Sequence, residues 1–226
     1  MFIAVIPAFN EEKNIRDVVE NTKKYVDLVV VVNDGSTDFT EKEAKKGGAF
    51  VLNTETNLGK ADAMKVGFEY ALQRGANPII LLDGDGQHDP DEIPKFLEEM
   101  KKGFDIVVGA RKFDLKLMPK SRIFANSFSS FLSTLACGTK ILDSQSGYRL
   151  IKRVVIEKIE FTSKRYQMET EMLIKAAKCG FKIGFVEINT IYRVEAKSKI
   201  NQISDPLKFM GLFIRLLFWR CRERNC

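Results

Sequence analysis

The sequence predicts an α/β domain with a mixed, mainly parallel sheet flanked by helices, followed by a C-terminal amphipathic helix. Three observations carry this. Runs of large apolar residues such as Leu28–Val32 and Ile79–Leu82 do not alternate with polar ones, so they read as strands buried on both faces. Stretches with helical spacing separate these runs, as β-α-β units require. The runs at Ile79–Leu82 and Leu28–Val32 also end in carboxylates, which mark where the chain leaves the core, because a buried strand cannot carry charge cheaply. Ligands of open α/β sheets bind at such carboxyl ends.

In chain order, Phe2–Ile6 is a first strand ended by Pro7. Asn10 caps the next helix, with Glu11 and Glu12 in its first turn, where negative charge is favoured. Ile15, Val18, Val19, Thr22 and Val26 then recur at helical spacing. Leu28–Val32 runs into Asn33-Asp34-Gly35-Ser36-Thr37-Asp38, where Asp34 is placed for ribose or base and Ser36 to Asp38 also have turn and cap chemistry. Ala49–Leu52 is a third strand. Asn57-Leu58-Gly59-Lys60 opens a helix to about Gln73, with Lys60 near an N-terminus that favours anions.

Ile79–Leu82 delivers Asp83-Gly84-Asp85-Gly86-Gln87-His88-Asp89-Pro90. In extended chain Asp83 and Asp85 point to one side, and Gly84 adds no bulk between them. Carboxylates this close repel unless a cation lies between them. Oxygen donors suit Mg2+ or Mn2+, and Gln87 continues the alternation with a neutral oxygen. Pro90–Met100 is a helix capped by Asp89, and Asp105–Val108 is strand five.

Lys120–Ala136 forms a helix with Ile123, Phe124, Phe128, Phe131, Leu132 and Leu135 on one face and Lys120, Arg122, Ser127, Ser130 and Ser133 on the other. Asp143–Arg149 is a polar loop. Glu169–Lys178 is a helix and Lys182–Ile188 a strand, after which Ile191-Tyr192-Arg193 leads to the basic loop Lys197-Ser198-Lys199. In Pro206–Arg220 a narrow stripe of Lys208, Gly211 and Arg215, continued by Arg222, faces a broad apolar surface. Two placements stay open for this helix: flat in a membrane interface beside anionic lipid, or docked on the core or another subunit. Its apolar run, Leu207 to Trp219, reaches roughly 20 Å, short of the ~30 Å hydrocarbon core.

At 226 residues, 45% hydrophobic and 29% charged, the chain is expected to fold as one domain over 1–200 with the helix of 201–226 appended. The excess of 36 Lys and Arg over 30 Asp and Glu is mild and permits anionic partners without choosing among them. No basic, aromatic-rich RNA motif is present, so no nucleic acid is expected as a partner. There is no G-x-G-x-x-G and no P-loop motif. Cys137, Cys179, Cys221 and Cys226 lack C-x-x-C spacing and read as reduced thiols of a cytosolic protein. Phe2–Ile6 reads as a core strand rather than a signal peptide.

Together these motifs resemble family 2 glycosyltransferases of the GT-A fold, most closely polyprenyl-phosphate sugar synthases of the dolichol-phosphate mannose and glucose type. The residues are Val5-Ile6-Pro7-Ala8-Phe9-Asn10-Glu11-Glu12, Val31-Val32-Asn33-Asp34-Gly35-Ser36-Thr37-Asp38, Asn57-Leu58-Gly59-Lys60, Leu82 to Pro90, Gly109-Ala110-Arg111, and Asp143-Ser144-Gln145-Ser146-Gly147-Tyr148-Arg149. The resemblance implies that Pro7, Phe9, Glu11 and Asp34, with Lys60, Asp83, Gly84 and Asp85, bind a nucleoside-diphosphate sugar. It implies that Asp83, Asp85 and Gln87 hold Mg2+ or Mn2+. Arg111, Arg122, Arg149, Arg193 and Lys199 become candidates for acceptor or donor phosphates, and Arg149 and Arg193 join the carboxylate pair as catalytic candidates. Two departures stand out: Asn33 replaces the first Asp of the common Asp-Asp-Gly-Ser, and the long C-terminal transmembrane helices of many relatives are missing.

The expected reaction is inverting, metal-dependent transfer of a hexose from a GDP-mannose or UDP-glucose type donor to a polyprenyl phosphate, at the cytoplasmic face of a membrane. A phosphate acceptor is already anionic and needs no strong base, whereas a hydroxyl acceptor does. For that alternative Glu169, Glu171 and Asp143 are the candidate bases, and His88 reads as structural. A non-catalytic nucleotide-sugar or lipid-binding module is the third reading.

Overall fold

The computed structural model describes residues 1–111, 120–163, 167–189, 191 and 204–221, the side chains of 120–125 and 204–209 excepted. Strands β1 (Ile3–Ala8), β2 (Leu28–Asn33), β3 (Phe50–Asn53), β4 (Ile79–Leu81), β5 (Ile106–Arg111), β6 (Arg149–Ile151) and β7 (Ile183–Ile188) form one sheet in the order β3-β2-β1-β4-β6-β5-β7. Only β6 runs antiparallel to its neighbours, β4 and β5. The helices are α1 (Ile15–Thr22), α2 (Thr40–Gly47), α3 (Lys60–Gln73), α4 (Ile93–Lys101), α5 (Lys120–Cys137), α6 (Arg153–Lys158), α7 (Met168–Lys178) and α8 (Ser204–Phe218).

Strand alternation splits the core into two layers. Ile3, Val5, Ile79, Leu81, Ile106 and Val108 face α3, α6 and α7. Ala4, Ile6, Val29, Val31, Ile80 and Val107 face α1, α2 and α4. Both faces of the central strands are therefore covered, which is why their sequences read as unbroken apolar runs.

Several expectations shift. β1 continues through Pro7 to Ala8. Leu82 N–H bonds Val5 O, so the Pro7 nitrogen faces the same side, beyond the end of β4, where no ladder bond is lost. Asn10 does not cap α1. Its φ is 56°, and its side-chain oxygen accepts the Thr37 N–H while its own N–H donates to Ser36 Oγ, tying the tips of β1 and β2 together. The loop expected at Asp143–Arg149 ends in a strand, β6, because Arg149 begins the antiparallel pairing with β4 and β5.

The largest difference is α5. Asn126, Ser129, Ser130 and Ser133 are buried, while Phe128, Phe131 and Leu135 are exposed, the opposite of what side-chain polarity alone would favour. The Ser129 and Ser144 hydroxyls share a hydrogen bond of 2.8 Å, Ser144 N–H donates to Ser130 Oγ, and the Ser133 hydroxyl bonds Ser129 O. A polar loop on its inner side gives this helix a reason to turn its serines inward.

The α8 helix docks. Leu212, Phe213 and Leu216 pack on Ile174 of α7, with Leu132, Ala136 and Cys137 of α5 and with Trp219. Of the two placements left open, Phe213 and Leu216 take the docked one and are buried, whereas Met210, Ile214, Leu217 and Phe218 stay exposed. Lys178 Nζ donates to the carbonyls of Leu216, Leu217 and Trp219, closing the C-terminal end of α8. Cys179 and Cys221 form a disulfide, so two of the four expected thiols are joined. The docking of α8 on α7 brings them together, and residues 42 apart in sequence gave no spacing signal for it. Among the described residues no helix is long and apolar enough to cross a membrane.

Candidate active site

The site forms where β1, β2 and β4 end. Asp34 N–H bonds Ala8 O, which joins the tips of β1 and β2. Gly84 lies against β1: a Cβ there would be 3.2 Å from Ala8 Cβ and 3.5 Å from Pro7 O. Asp83-Gly84-Asp85 therefore rests on the buried Pro7–Ala8 corner. Phe9 and Glu11 follow it, both half-buried. Glu11 N–H donates to the Thr40 hydroxyl, fastening this segment to α2.

The buried Asp34 uses both carboxylate oxygens on its own chain. They accept Leu58 N–H and Gly59 N–H, each at 2.8 Å, and the Thr54 hydroxyl at 3.1 Å. Asp34 thus caps α3 from a distance and pins the loop 54–59, where the sequence alone suggested a direct contact with a nucleoside. Gly35, at φ +65°, leaves no room for a side chain: a Cβ would lie 2.6 Å from the backbone of Thr56 and Asn57. Asn33 pairs with Asn53 at 2.9 Å.

Pinning the loop sets the start of α3, and so Lys60. Its ammonium lies 2.6 Å from Asp83 Oδ1 and 3.0 Å from Glu169 Oε1. Burial opposes the lysine charge, but Asp83 and Glu169 outweigh it and raise its pKa. Burial likewise opposes the Asp83 carboxylate, yet Lys60 first, then His88 and Arg111, bring it down to about 2. Burial and then the charge of Asp83 raise Asp85, with one Asp85 oxygen accepting Gln87 N–H at 3.0 Å. Gln87 itself is held by its carbonyl, which accepts Ile191 N–H.

The His88 ring is buried and stacks on Tyr148 with centroids 5.0 Å apart. Its Nδ1 accepts Asp83 N–H at 3.1 Å, and burial lowers its pKa. Through Nδ1 it braces the Asp83 backbone.

Loop 143–148 closes over the pair. A Cβ on Gly147 would lie 2.9 Å from both Asp83 Oδ2 and Lys60 Nζ, so a larger residue there would push on this ion pair. The loop is stiffened twice. Asp143, buried, accepts the Arg111 guanidinium at 2.7 and 3.0 Å and the N–H groups of Gln145 and Ser146. Arg149, fully buried, donates to the carbonyls of Ser144, Ser146 and Glu169. Burial lowers the Arg149 pKa to about 10.

These contacts correct several assignments. Arg149 is sealed from solvent and its donors face carbonyls, so it shapes the loop instead of meeting an acceptor phosphate. Arg111 forks onto Asp143 and serves the same loop. Among the candidate bases, Asp143 is paired to Arg111, and Glu171, fully buried, is bound to Lys175, Thr162 and Ser163. Glu169 is the candidate base that reaches the carboxylate cluster, through Lys60. Arg193 and Lys199 lie outside the described residues, as does the side chain of Arg122.

The residues fit a divalent cation. Asp83 and Glu169 share the Lys60 ammonium, and Asp85, two residues on from Asp83, makes no ion pair with it among the described residues. Among the described residues no cluster of three or more His, Cys, Asp or Glu could hold a metal alone. A pair of carboxylates that leaves positions for ligand phosphates is how Mg2+-type ions are usually held.

The profile of glycosyl transferase family 2 matches residues 3–160. An uncharacterised protein of Methanocaldococcus jannaschii is 36% identical over 213 residues, covering 91% of this chain and 88% of that one. The UDP-N-acetylglucosamine–dolichyl-phosphate N-acetylglucosaminyltransferase of Methanococcus voltae is 32% identical over 237 residues, covering 94% and 93%. Among solved structures, glucosyl-3-phosphoglycerate synthase from Mycobacterium tuberculosis, in complex with Mn2+, UDP and glucosyl-3-phosphoglycerate, superposes with a TM-score of 0.71 at 22% identity, covering 98% of this chain and 79–80% of that one across its complexes. By profile, sequence and fold, this chain belongs to glycosyl transferase family 2.

Proposed function

We propose that this glycosyltransferase moves a hexose from a nucleoside-diphosphate sugar, of the GDP-mannose or UDP-glucose type, to a polyprenyl phosphate with inversion at the anomeric carbon. One observation carries the reading. Loop 143–148 has Gly147 against Asp83 and Lys60 on one side, and Ser144 against the inward serines of α5 on the other. α5 thus joins the carboxylate pair through this loop on its inner face, and it carries the exposed Phe131 and Leu135 on its outer one. An apolar surface beside an anion-handling site suits an acceptor with a phosphate head and a hydrocarbon tail.

Asp83 and Asp85, with Gln87, would hold Mg2+ or Mn2+. When bound, such an ion acts as a Lewis acid on the departing diphosphate. The rest falls to the chain. Asp34 sets loop 54–59 beside the Pro7–Glu11 segment, framing the nucleoside. Asp143 with Arg111, and Arg149, stiffen loop 143–148, so Gly147 keeps its place over Asp83 and little reorganisation is needed on binding. Arg122, Arg193 and Lys199 remain the candidates for the acceptor phosphate. The dolichyl-phosphate acceptor in the name of the Methanococcus voltae relative and the Mn2+ and UDP of the mycobacterial complex support acceptor class, donor class and metal.

Peripheral attachment belongs to the same proposal. Phe131 and Leu135 of α5 with Ile214, Leu217 and Phe218 of α8 are among the exposed apolar residues and would meet the membrane, at its cytoplasmic face.

A second reading is transfer to a hydroxyl of a small anionic acceptor. It is favoured by Glu169, whose Oε2 has no partner among the described residues, and by the phosphoglycerate-based product in the mycobacterial complex. The test is incubation of the protein with Mn2+, polyprenyl phosphate and a panel of labelled sugar nucleotides, followed by lipid extraction. Label in the lipid phase with wild type, lost with Asp85→Asn, is expected. Label that stays in the water phase as a glycosylated small molecule favours the second reading.

A further inference from the structure

Glu169 is only 2% exposed, and its Oε2 has no hydrogen-bond partner among the described residues. A buried carboxylate oxygen left unpaired is costly, so its persistence calls for a use. The other oxygen, Oε1, holds Lys60 at 3.0 Å, while Lys60 lies closer, at 2.6 Å, to Asp83. An ammonium has three donors and turns freely on a flexible stem. Gly147 lies beside it, since a Cβ there would come 2.9 Å from Lys60 Nζ, and both carboxylates are within its reach.

A divalent cation on Asp83 would meet this ammonium at close range, where like charges in a partly desolvated site repel strongly. Resting on the metal-dependent reading above, we propose that Lys60 is the resident counter-ion of Asp83, and that Glu169 is the berth to which it retreats when a divalent cation arrives. The unpaired Oε2 is then satisfied in the loaded state instead of the empty one. Lys60 protects the carboxylate pair from self-repulsion when no metal is present. It also sets the affinity for the metal, because the ion must win Asp83 from it. Lys60 and Glu169 are positioning residues in this account, acting through Asp83.

The test is equilibrium binding of Mn2+ alone, without donor or acceptor, by the full chain at fixed ionic strength, with free Mn2+ read by electron paramagnetic resonance. Lys60→Met and Lys60→Gln should each bind Mn2+ more tightly than wild type, on the order of tenfold. Glu169→Gln should bind it more weakly, because Lys60 then has no charged alternative to Asp83. In the double variant Lys60→Met/Glu169→Gln the Glu169 effect should shrink, as a coupled pair requires. Thermal melts check that each variant is folded, and the two Lys60 substitutions guard against a packing fault in either one.

Lys60 variants that bind Mn2+ no better than wild type would overturn the proposal while leaving the metal reading intact. An undiminished Glu169 effect in the Lys60→Met background would assign Glu169 to plain charge attraction and remove the berth. Absence of Mn2+ uptake by wild type and by both Lys60 variants would bring down the metal reading and this proposal together.

Discussion

At the scale of single residues, the site is organised by charges that serve the chain itself. Arg149 is the clearest case. The family resemblance implies a phosphate-holding role for it, yet the guanidinium is buried on three carbonyls. Arg149→Met should therefore cost about 3 kcal/mol of stability by leaving those carbonyls unpaired. Urea unfolding measures it, and a variant of wild-type stability that specifically loses acceptor use would return Arg149 to the phosphate. Glu171 gives a pH prediction. Burial opposes its charge, but Lys175, the Thr162 hydroxyl and the Ser163 N–H hold its pKa below the ordinary range. A depressed folded pKa gives stability that is present above the unfolded value, roughly 4.3, and lost as pH falls through the folded one. The stability gap between wild type and Glu171→Gln should be full at neutral pH and close in that acid window; a gap independent of pH contradicts the ion pair.

At the scale of elements, the first half was legible because its signals are local. Apolar runs ending in Asp34 and Asp83 announce strands, and the structure extends β1, β2 and β5 by no more than a few residues. The second half hid its logic in packing. A stripe of serines and a stripe of phenylalanines predict which face of α5 is polar, but not which face the protein covers. Only the Asp143–Tyr148 loop, with its own N–H groups to satisfy, decides that. The disulfide was invisible for a similar reason, since it depends on α8 lying on α7. That contact makes a prediction. Cys137 lies under α8, and burial pushes its thiol up to about 12. Replacing Cys179 and Cys221 by serine should remove about 2–4 kcal/mol of stability. In a Cys226→Ser background it should also speed labelling of Cys137 by a thiol reagent. Unchanged labelling would mean that apolar packing and the Lys178 cap hold α8 without the bond.

At the scale of the whole molecule, the proposed reading has the carboxyl end of the sheet work together with the exposed residues of α5 and α8. Attachment should depend on the residues left exposed, not on the buried Phe213 and Leu216. Phe131→Glu with Phe218→Glu should release the protein from anionic vesicles and leave its melting temperature nearly unchanged. Phe213→Glu should instead unfold the α8 packing, because Phe213 is buried against α7. Sedimentation with vesicles separates the two, and full retention of the Phe131/Phe218 pair would free these faces for another role.

The central claim is that the acceptor is a lipid phosphate served by Asp83 and Asp85. It is tested most directly by transfer rates to a short, water-soluble prenyl phosphate and to the matching prenyl alcohol, with the same donor and Mn2+. The account predicts rapid transfer to the phosphate, loss of it in Asp85→Asn, and almost none to the alcohol. Equal rates for the two acceptors, or undiminished turnover by Asp85→Asn, would contradict it.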